Sequence, residues 1–137
     1  MERILGPGGW LGTFEAQFSP KDKDGNPAAL WNRETGKLDP LIVEHWKRYD
    51  LRLFILKNWA ALESRINGKL HIFVADDDDA RLDDPVLLFK ESLIELGCDA
   101  HIKILSTGGH GDGVWKQVIG EIHSQMDSSI LTGRRVN

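Results

Sequence analysis

Two places in the chain carry residues able to do chemistry. Asp76, Asp77, Asp78 and Asp79 are consecutive, with Asp83 and Asp84 close behind, and His110 stands in Gly108-Gly109-His110-Gly111-Asp112-Gly113. Adjacent carboxylates repel by roughly 1 kcal/mol per close pair even when hydrated, so such a run is either a solvated turn or a place where at least one carboxylate is used. A glycine-flanked histidine is either an exposed loop residue or an imidazole that can project into a cleft a bulkier loop would fill. A carboxylate and an imidazole on one rim make two-thirds of a nucleophilic triad, in which the acid orients the ring and the ring takes a proton from a nucleophile.

The third member is harder to find. The sequence contains no G-x-S-x-G, and Ser19, Ser64, Ser92, Ser106, Ser124, Ser128 and Ser129 lack the strand-to-helix elbow that exposes and activates a hydroxyl. Cys98 is the only cysteine; it follows Gly97 just before an expected strand, at the rim opposite the histidine loop, and it excludes an internal disulfide or a thiolate zinc cluster. His45 and His123 fall in helical patterns and His71 and His101 in strand patterns, so each is expected to be structural or solvent-facing. Asp22-Lys23-Asp24-Gly25-Asn26 has a faint calcium-loop look but lacks the distant bidentate glutamate, and reads as an ordinary turn.

The elements that would hold these groups can be read from periodicity. Leu70, Ile72, Phe73 and Val74 form a short apolar run ending at the aspartates, as suits a strand buried in a parallel sheet, and the acids then lie at its carboxyl end, where ligands of open α/β sheets gather. Asp84-Pro85 is expected to cap a helix through Val86, Leu87, Phe89, Leu93, Ile94 and Leu96 that closes at Gly97. Ala100, Ile102, Ile104 and Leu105 read as a second strand, and Val114, Trp115, Val118, Ile119 and Ile122 as a final helix before a polar tail from about Ser128. Upstream, Asp39-Pro40 should cap one helix and Asp50 a second that stops at Asn67-Gly68. Residues 1–38, rich in Gly, Pro, Asn and Asp, are expected to be irregular apart from a helical turn within Leu11 to Phe18. The fold class is therefore α/β, with an irregular amino-terminal segment over 1–38 and a strand-helix-strand-helix unit within 39–137. Two parallel strands leave open edges and an uncovered face, so either the opening segment supplies further strands or the chain is the end of a longer fold; a dimer that pairs sheet edges would also cover it.

Composition agrees with a single folded, soluble domain. Of 137 residues, 41% are apolar and 28% charged, and no apolar run reaches the roughly 18 residues of a membrane span. A net charge of -4 without a basic stripe argues against nucleic acid as a partner.

Several segments resemble the carboxyl-terminal part of bacterial esterases of the α/β-hydrolase superfamily. They are Phe14-Glu15-Ala16-Gln17-Phe18-Ser19-Pro20, Leu30-Trp31-Asn32-Arg33-Glu34-Thr35-Gly36, Trp46-Lys47-Arg48-Tyr49-Asp50-Leu51-Arg52 and Gly68-Lys69-Leu70-His71-Ile72-Phe73-Val74. The similarity runs from about residue 12 to 120, and the order strand, acid loop, helix, strand, histidine loop, helix is that of the superfamily. It implies the carboxyl-terminal part of an α/β-hydrolase fold over 39–137, with few parallel strands and crossover helices. The family's small-Asp-x-Asp falls on Ala75-Asp76-Asp77-Asp78, which implies Asp78 as the triad acid with Asp76 as the runner-up, and the family's histidine falls on His110. Ala75 stands where the family often has glycine, and the nucleophile elbow, the oxyanion loop and the early strands have no counterpart here. The resemblance thus implies an acid and a histidine whose nucleophile lies outside this sequence, an ester substrate once the site is completed, no cofactor, and little triad activity from the chain alone. A beginning at Met1 so close to the family's late region implies a truncated reading frame or a remnant. Two alternatives remain: a non-enzymatic homo-oligomeric interaction protein, and a receiver-like domain whose Asp76-Asp77-Asp78 holds Mg²⁺ near a phosphoacceptor, for which the remaining chain is short.

Overall fold

A computed structural model describes residues 9–133. The elements are α1 (Trp10–Phe18), α2 (Pro40–Trp46) with a 3-10 turn at Lys47–Tyr49, α3 (Leu51–Ile66), β1 (Leu70–Ala75), α4 (Asp83–Glu95), β2 (Ala100–Leu105) and α5 (Asp112–Gly133). The chain divides into two compact units, Met1–Asn58 and Trp59–Asn137, rather than the single domain that composition implied. The division falls inside α3, so the segment expected to be irregular through residue 38 shares its unit with α2 and the first half of α3.

In the first unit, side chains do much of the work that regular structure does elsewhere. The Asp22 carboxylate accepts the backbone N–H groups of Asp24 and Asn26 at 2.9 and 2.8 Å, and Asn32 Oδ1 accepts those of Glu34 and Thr35. These Asx turns are closed by the isolated bridges Lys21–Pro27 and Trp31–Leu38. Asp22 thus builds an ordinary turn of the kind expected. Buried Glu15 on α1 accepts the Leu30 N–H at 2.7 Å and pairs with Arg33, whose guanidinium lies 3.8 Å over the Trp31 ring. Phe18 meets the rings of Trp46 and Tyr49, and the Trp46 indole donates to Ser19 Oγ at 2.9 Å. Asp39 caps α2 ahead of Pro40, and Asp50 Oδ1 accepts the Leu53 N–H, both as the sequence indicates.

In the second unit β1 and β2 pair in parallel, from Leu70 with Ala100 to Ala75 with Leu105. The crossover is α4, and both α4 and α5 pack on the strands. Val74, Ala75, Leu93 and Val118 are buried. His71, Phe73, His101 and Lys103 share the sheet face toward α5, from which Glu121 bonds His101 Nε2 at 2.7 Å and Lys103 Nζ at 2.6 Å. Below the strands, Asn67 Oδ1 accepts the Asp99 N–H and the Gly68 N–H reaches the Asp99 carbonyl, so the two strands start level. The sheet has two strands among the described residues, and the opening segment adds isolated bridges only.

Two boundaries differ from expectation. Asp84 does not cap α4: the cap position is Leu82, which has no capping side chain, while Asp84 lies in the first helical turn and binds Arg81 at 2.7 Å. The turn preceding the helix is set by Asp78, and Pro85 still falls within the first turn, where a missing N–H forfeits no intrahelical bond. At its far end α4 closes at Gly97 as expected, with the Gly97 N–H bonded to the Ile94 carbonyl and the Cys98 N–H to that of Leu93. The final helix does not stop before Ser128; it continues to Gly133, with Ser128 Oγ donating to the Ser124 carbonyl. Polar residues end a hydrophobic pattern without ending a helix.

Leu93 is 1% exposed and its neighbour Ile94 is 67% exposed, so the pair separates core packing from helix propensity. Leu93→Ala is expected to lower unfolding free energy by about 2–5 kcal/mol in urea titration, and Ile94→Ala to stay within about 1 kcal/mol.

Candidate active site

Because β1 and β2 start level and run in parallel, they also end level, at Ala75 and Leu105. The loops that follow therefore emerge side by side, and the Asp76 N–H donating to the Leu105 carbonyl at 2.8 Å extends the ladder one step beyond the strands. Continuing the same register places Asp77 opposite Thr107. Asp77 Oδ2 accepts the Thr107 hydroxyl at 2.9 Å, and its Oδ1 accepts the Gly109 N–H at 2.7 Å.

The next residue turns inward. Asp78 is buried, its side chain 4% exposed, and its Oδ2 lies 3.1 Å from His110 Nδ1, while Oδ1 accepts the Ala80 N–H at 2.7 Å. The Arg81 N–H returns to the Asp78 carbonyl, and Arg81 takes φ +58°, a left-handed conformation that costs a side-chain-bearing residue about 1–2 kcal/mol. With an ionised carboxylate as partner, Nδ1 carries the ring proton and Nε2 becomes the acceptor nitrogen. The His110 side chain is 42% exposed, so a buried acid supports a ring that remains accessible.

The glycines of this loop have definite tasks. Gly109 sits at φ +57°, which turns its N–H toward Asp77. A Cβ on Gly113 would stand 2.0 Å from the Gly108 carbonyl oxygen, so only glycine permits the loop to close on the start of α5. Gln117 Nε2 donates to the carbonyls of Thr107 and Gly113 at 2.7 and 3.0 Å and ties both loop ends to that helix.

Electrostatics reinforce the arrangement. The Gly109 N–H and the Thr107 hydroxyl hold the Asp77 carboxyl below its ordinary value of 3.8. Burial pushes the Asp78 carboxyl up, but the His110 hydrogen bond, the Ala80 N–H, the charge of the ring when it is protonated and the Leu82 N–H together outweigh it, leaving Asp78 below 3.8 as well. Beside the pair lies a groove of about 360 Å³ walled by Phe73, Leu82, Val86, Val114, Trp115 and Ile122.

The structure thus brings together the two residues singled out as site candidates, Asp78 and His110. Asp76 is exposed, and its backbone serves the ladder. Cys98 is half-buried near the start of β2, at the other end of the strands; burial and the charges of Asp99 and Glu63 raise its thiol pKa, which suppresses the nucleophilic thiolate. Ser92 is buried within α4 and donates to the Leu88 carbonyl. Among the described residues one group could gather around a cation, Asp78, Asp79 and His110, whose ligand atoms lie within 4.8 Å of one another; Asp79 and His110 are exposed. No described helix is long and apolar enough to cross a membrane. Sequence reasoning met Asp77 only as a member of the acid run, without a role of its own, and missed Thr107 and Gln117. Their signal is the strand register, which makes positions 77 and 107 neighbours but is not written in either segment alone.

Comparison with models of known families, with curated proteins and with solved structures gives no match for the chain.

Asp77, Asp78 and Glu121, the last held down by Lys103 and His101, all bind protons less readily when folded than their ordinary values of 3.8 and 4.5. The stability they contribute is therefore complete above those ordinary values and is lost as pH falls through them toward the lower folded ones. Urea midpoints measured from neutral pH downward should stay level and then drop in that acid range, and the drop should be shallower in Asp77→Asn. Gly113→Ala should destabilise the chain by about 1–3 kcal/mol, because the added methyl group must displace backbone.

Proposed function

We propose that Asp78 and His110 are the acid and the base of an ester-cleaving site of the α/β-hydrolase kind, completed by a nucleophile and an oxyanion hole from polypeptide outside these residues. One observation carries this reading: a buried carboxylate holds Nδ1 of a half-exposed imidazole, from adjacent loops at the carboxyl ends of two parallel strands. The chain order, acid then histidine, and the segments that resemble bacterial esterases point the same way. On this reading the parallel pair β1 and β2 with α4 and α5 would be the carboxyl-terminal portion of a hydrolase sheet.

In that role the neutral His110 ring, its Nδ1 proton bound to Asp78, takes a proton at Nε2 as a hydroxyl attacks the ester carbonyl. Asp78 stabilises the imidazolium, and Nε2 then returns the proton to the departing alkoxide. The groove beside the ring offers apolar walls to one side of the ester. A Mg²⁺-dependent receiver is less well supported, because the Asp77 carboxylate is occupied by Thr107 and Gly109 and that of Asp78 by His110 and Ala80. A non-enzymatic role through self-association draws support from Trp115, Met126 and Ile130, all exposed on α5. Sedimentation at micromolar concentration should then find a dimer, and a monomer would remove that support.

The chain alone should cleave p-nitrophenyl acetate no faster than its His110→Ala variant; a clear difference would place the nucleophile within these residues. If translation is extended through any in-frame upstream segment that encodes G-x-S-x-G, a fluorophosphonate should label that serine. Labelling should fall by about 10³-fold or more in His110→Ala. Equal labelling in the variant would end the proposal.

A further inference from the structure

Asp77 belongs to no acid–base step in the reading above, yet its side chain ties the acid turn to the histidine loop twice. Its two carboxylate oxygens take two different donors: the Thr107 hydroxyl at 2.9 Å and the Gly109 N–H at 2.7 Å, the latter one residue before His110. Thr107 is held again from behind by Gln117, which donates to its carbonyl at 2.7 Å and to that of Gly113 at 3.0 Å. The loop carrying His110 is therefore fastened on both sides of the ring by bonds that do not involve the ring.

We infer that Asp77 is the positioning residue of the site: its carboxylate fixes the backbone at Gly109, and so sets where the His110 ring meets Asp78. The inference rests on the acid–base reading of Asp78 and His110. Seven glycines of the described chain adopt positive φ, three of them at 108, 109 and 111, so the loop has little stiffness of its own and needs an external tie. The bond between the ring and Asp78 cannot supply that tie, because it changes character each time the ring gains or loses its proton. The Asp77 bonds are indifferent to that cycle. An ionised carboxylate suits the task, since it accepts from both donors at once in charge-assisted bonds; an amide of the same shape can accept only the Gly109 N–H and must reverse the bond to the Thr107 hydroxyl, and both bonds lose the charge that strengthens them.

The experiment follows the Nδ1–H proton of His110 by NMR, assigned as the resonance that Asp78→Asn removes, and measures its exchange with water in the folded chain. In Asp77→Asn the exchange should be faster by about tenfold, the loss expected for one charge-assisted hydrogen bond. Thr107→Val should shift it in the same direction, whereas Thr107→Ser, which keeps the hydroxyl, should match the parent. A folded Asp77→Asn with parental exchange overturns the inference, and if that variant does not fold, parental exchange in Thr107→Val overturns it equally. A parent chain with no resonance sensitive to Asp78→Asn would instead overturn the pairing of Asp78 with His110, and the positioning role with it.

Discussion

Parallel pairing between β1 and β2, residue for residue from Leu70 with Ala100 to Ala75 with Leu105, is the constraint on which the candidate site depends. The level start comes from Asn67, Gly68 and Asp99, and the level finish lets the chain leave both strands at one height. Shifting one strand by a single residue would turn every side chain to the opposite face and carry Asp77 away from Thr107. Everything that follows, from the inward turn of Asp78 to the ring of His110, presumes that alignment.

The acid run shows how four similar residues acquire different tasks from position alone. Asp76 is exposed and contributes its backbone to the ladder. Asp77 reaches across to the neighbouring loop, Asp78 turns into the protein and accepts from both a backbone N–H and the imidazole, and Asp79 remains at the surface. Mutual repulsion is relieved because two of the four charges have donors of their own. Burial alone would drive Asp78 toward its neutral form, and the donors around it reverse that tendency. A carboxylate kept ionised in a buried place is the state required to hold an imidazole in one tautomer.

Energetically the second unit is unusual in how little sheet it has. Two parallel strands with α4 and α5 packed on them bury Val74, Ala75, Leu93 and Val118, while Trp115, Met126 and Ile130 on α5 face outward. A larger parallel sheet would normally bury both faces and leave fewer such residues exposed. The exposed apolar positions and the acid–imidazole pair at the strand ends belong to one architecture, a parallel pair whose sheet does not close upon itself among the described residues.

Much of this was legible in the residues. Asp39-Pro40, Asp50, Gly68 and Gly97 mark helix ends through local chemistry, and the apolar runs at 70–74 and 100–105 mark strands, because caps and periodicity act over a few neighbouring positions. Asp84-Pro85 misled for the same local reason: the pair looks like a cap, but the turn is made earlier, by the Asp78 side chain. The acid run and the glycine-flanked His110 were visible as candidates, though which aspartate faces the ring was left to a resemblance. Tertiary structure alone decided that Asp78 meets His110, that Asp77 binds Thr107 and Gly109, and that the compact units part within α3. Those outcomes depend on which residues of two distant strands stand opposite each other, and that alignment is set by the packing of the whole βαβ unit rather than by any run of neighbours.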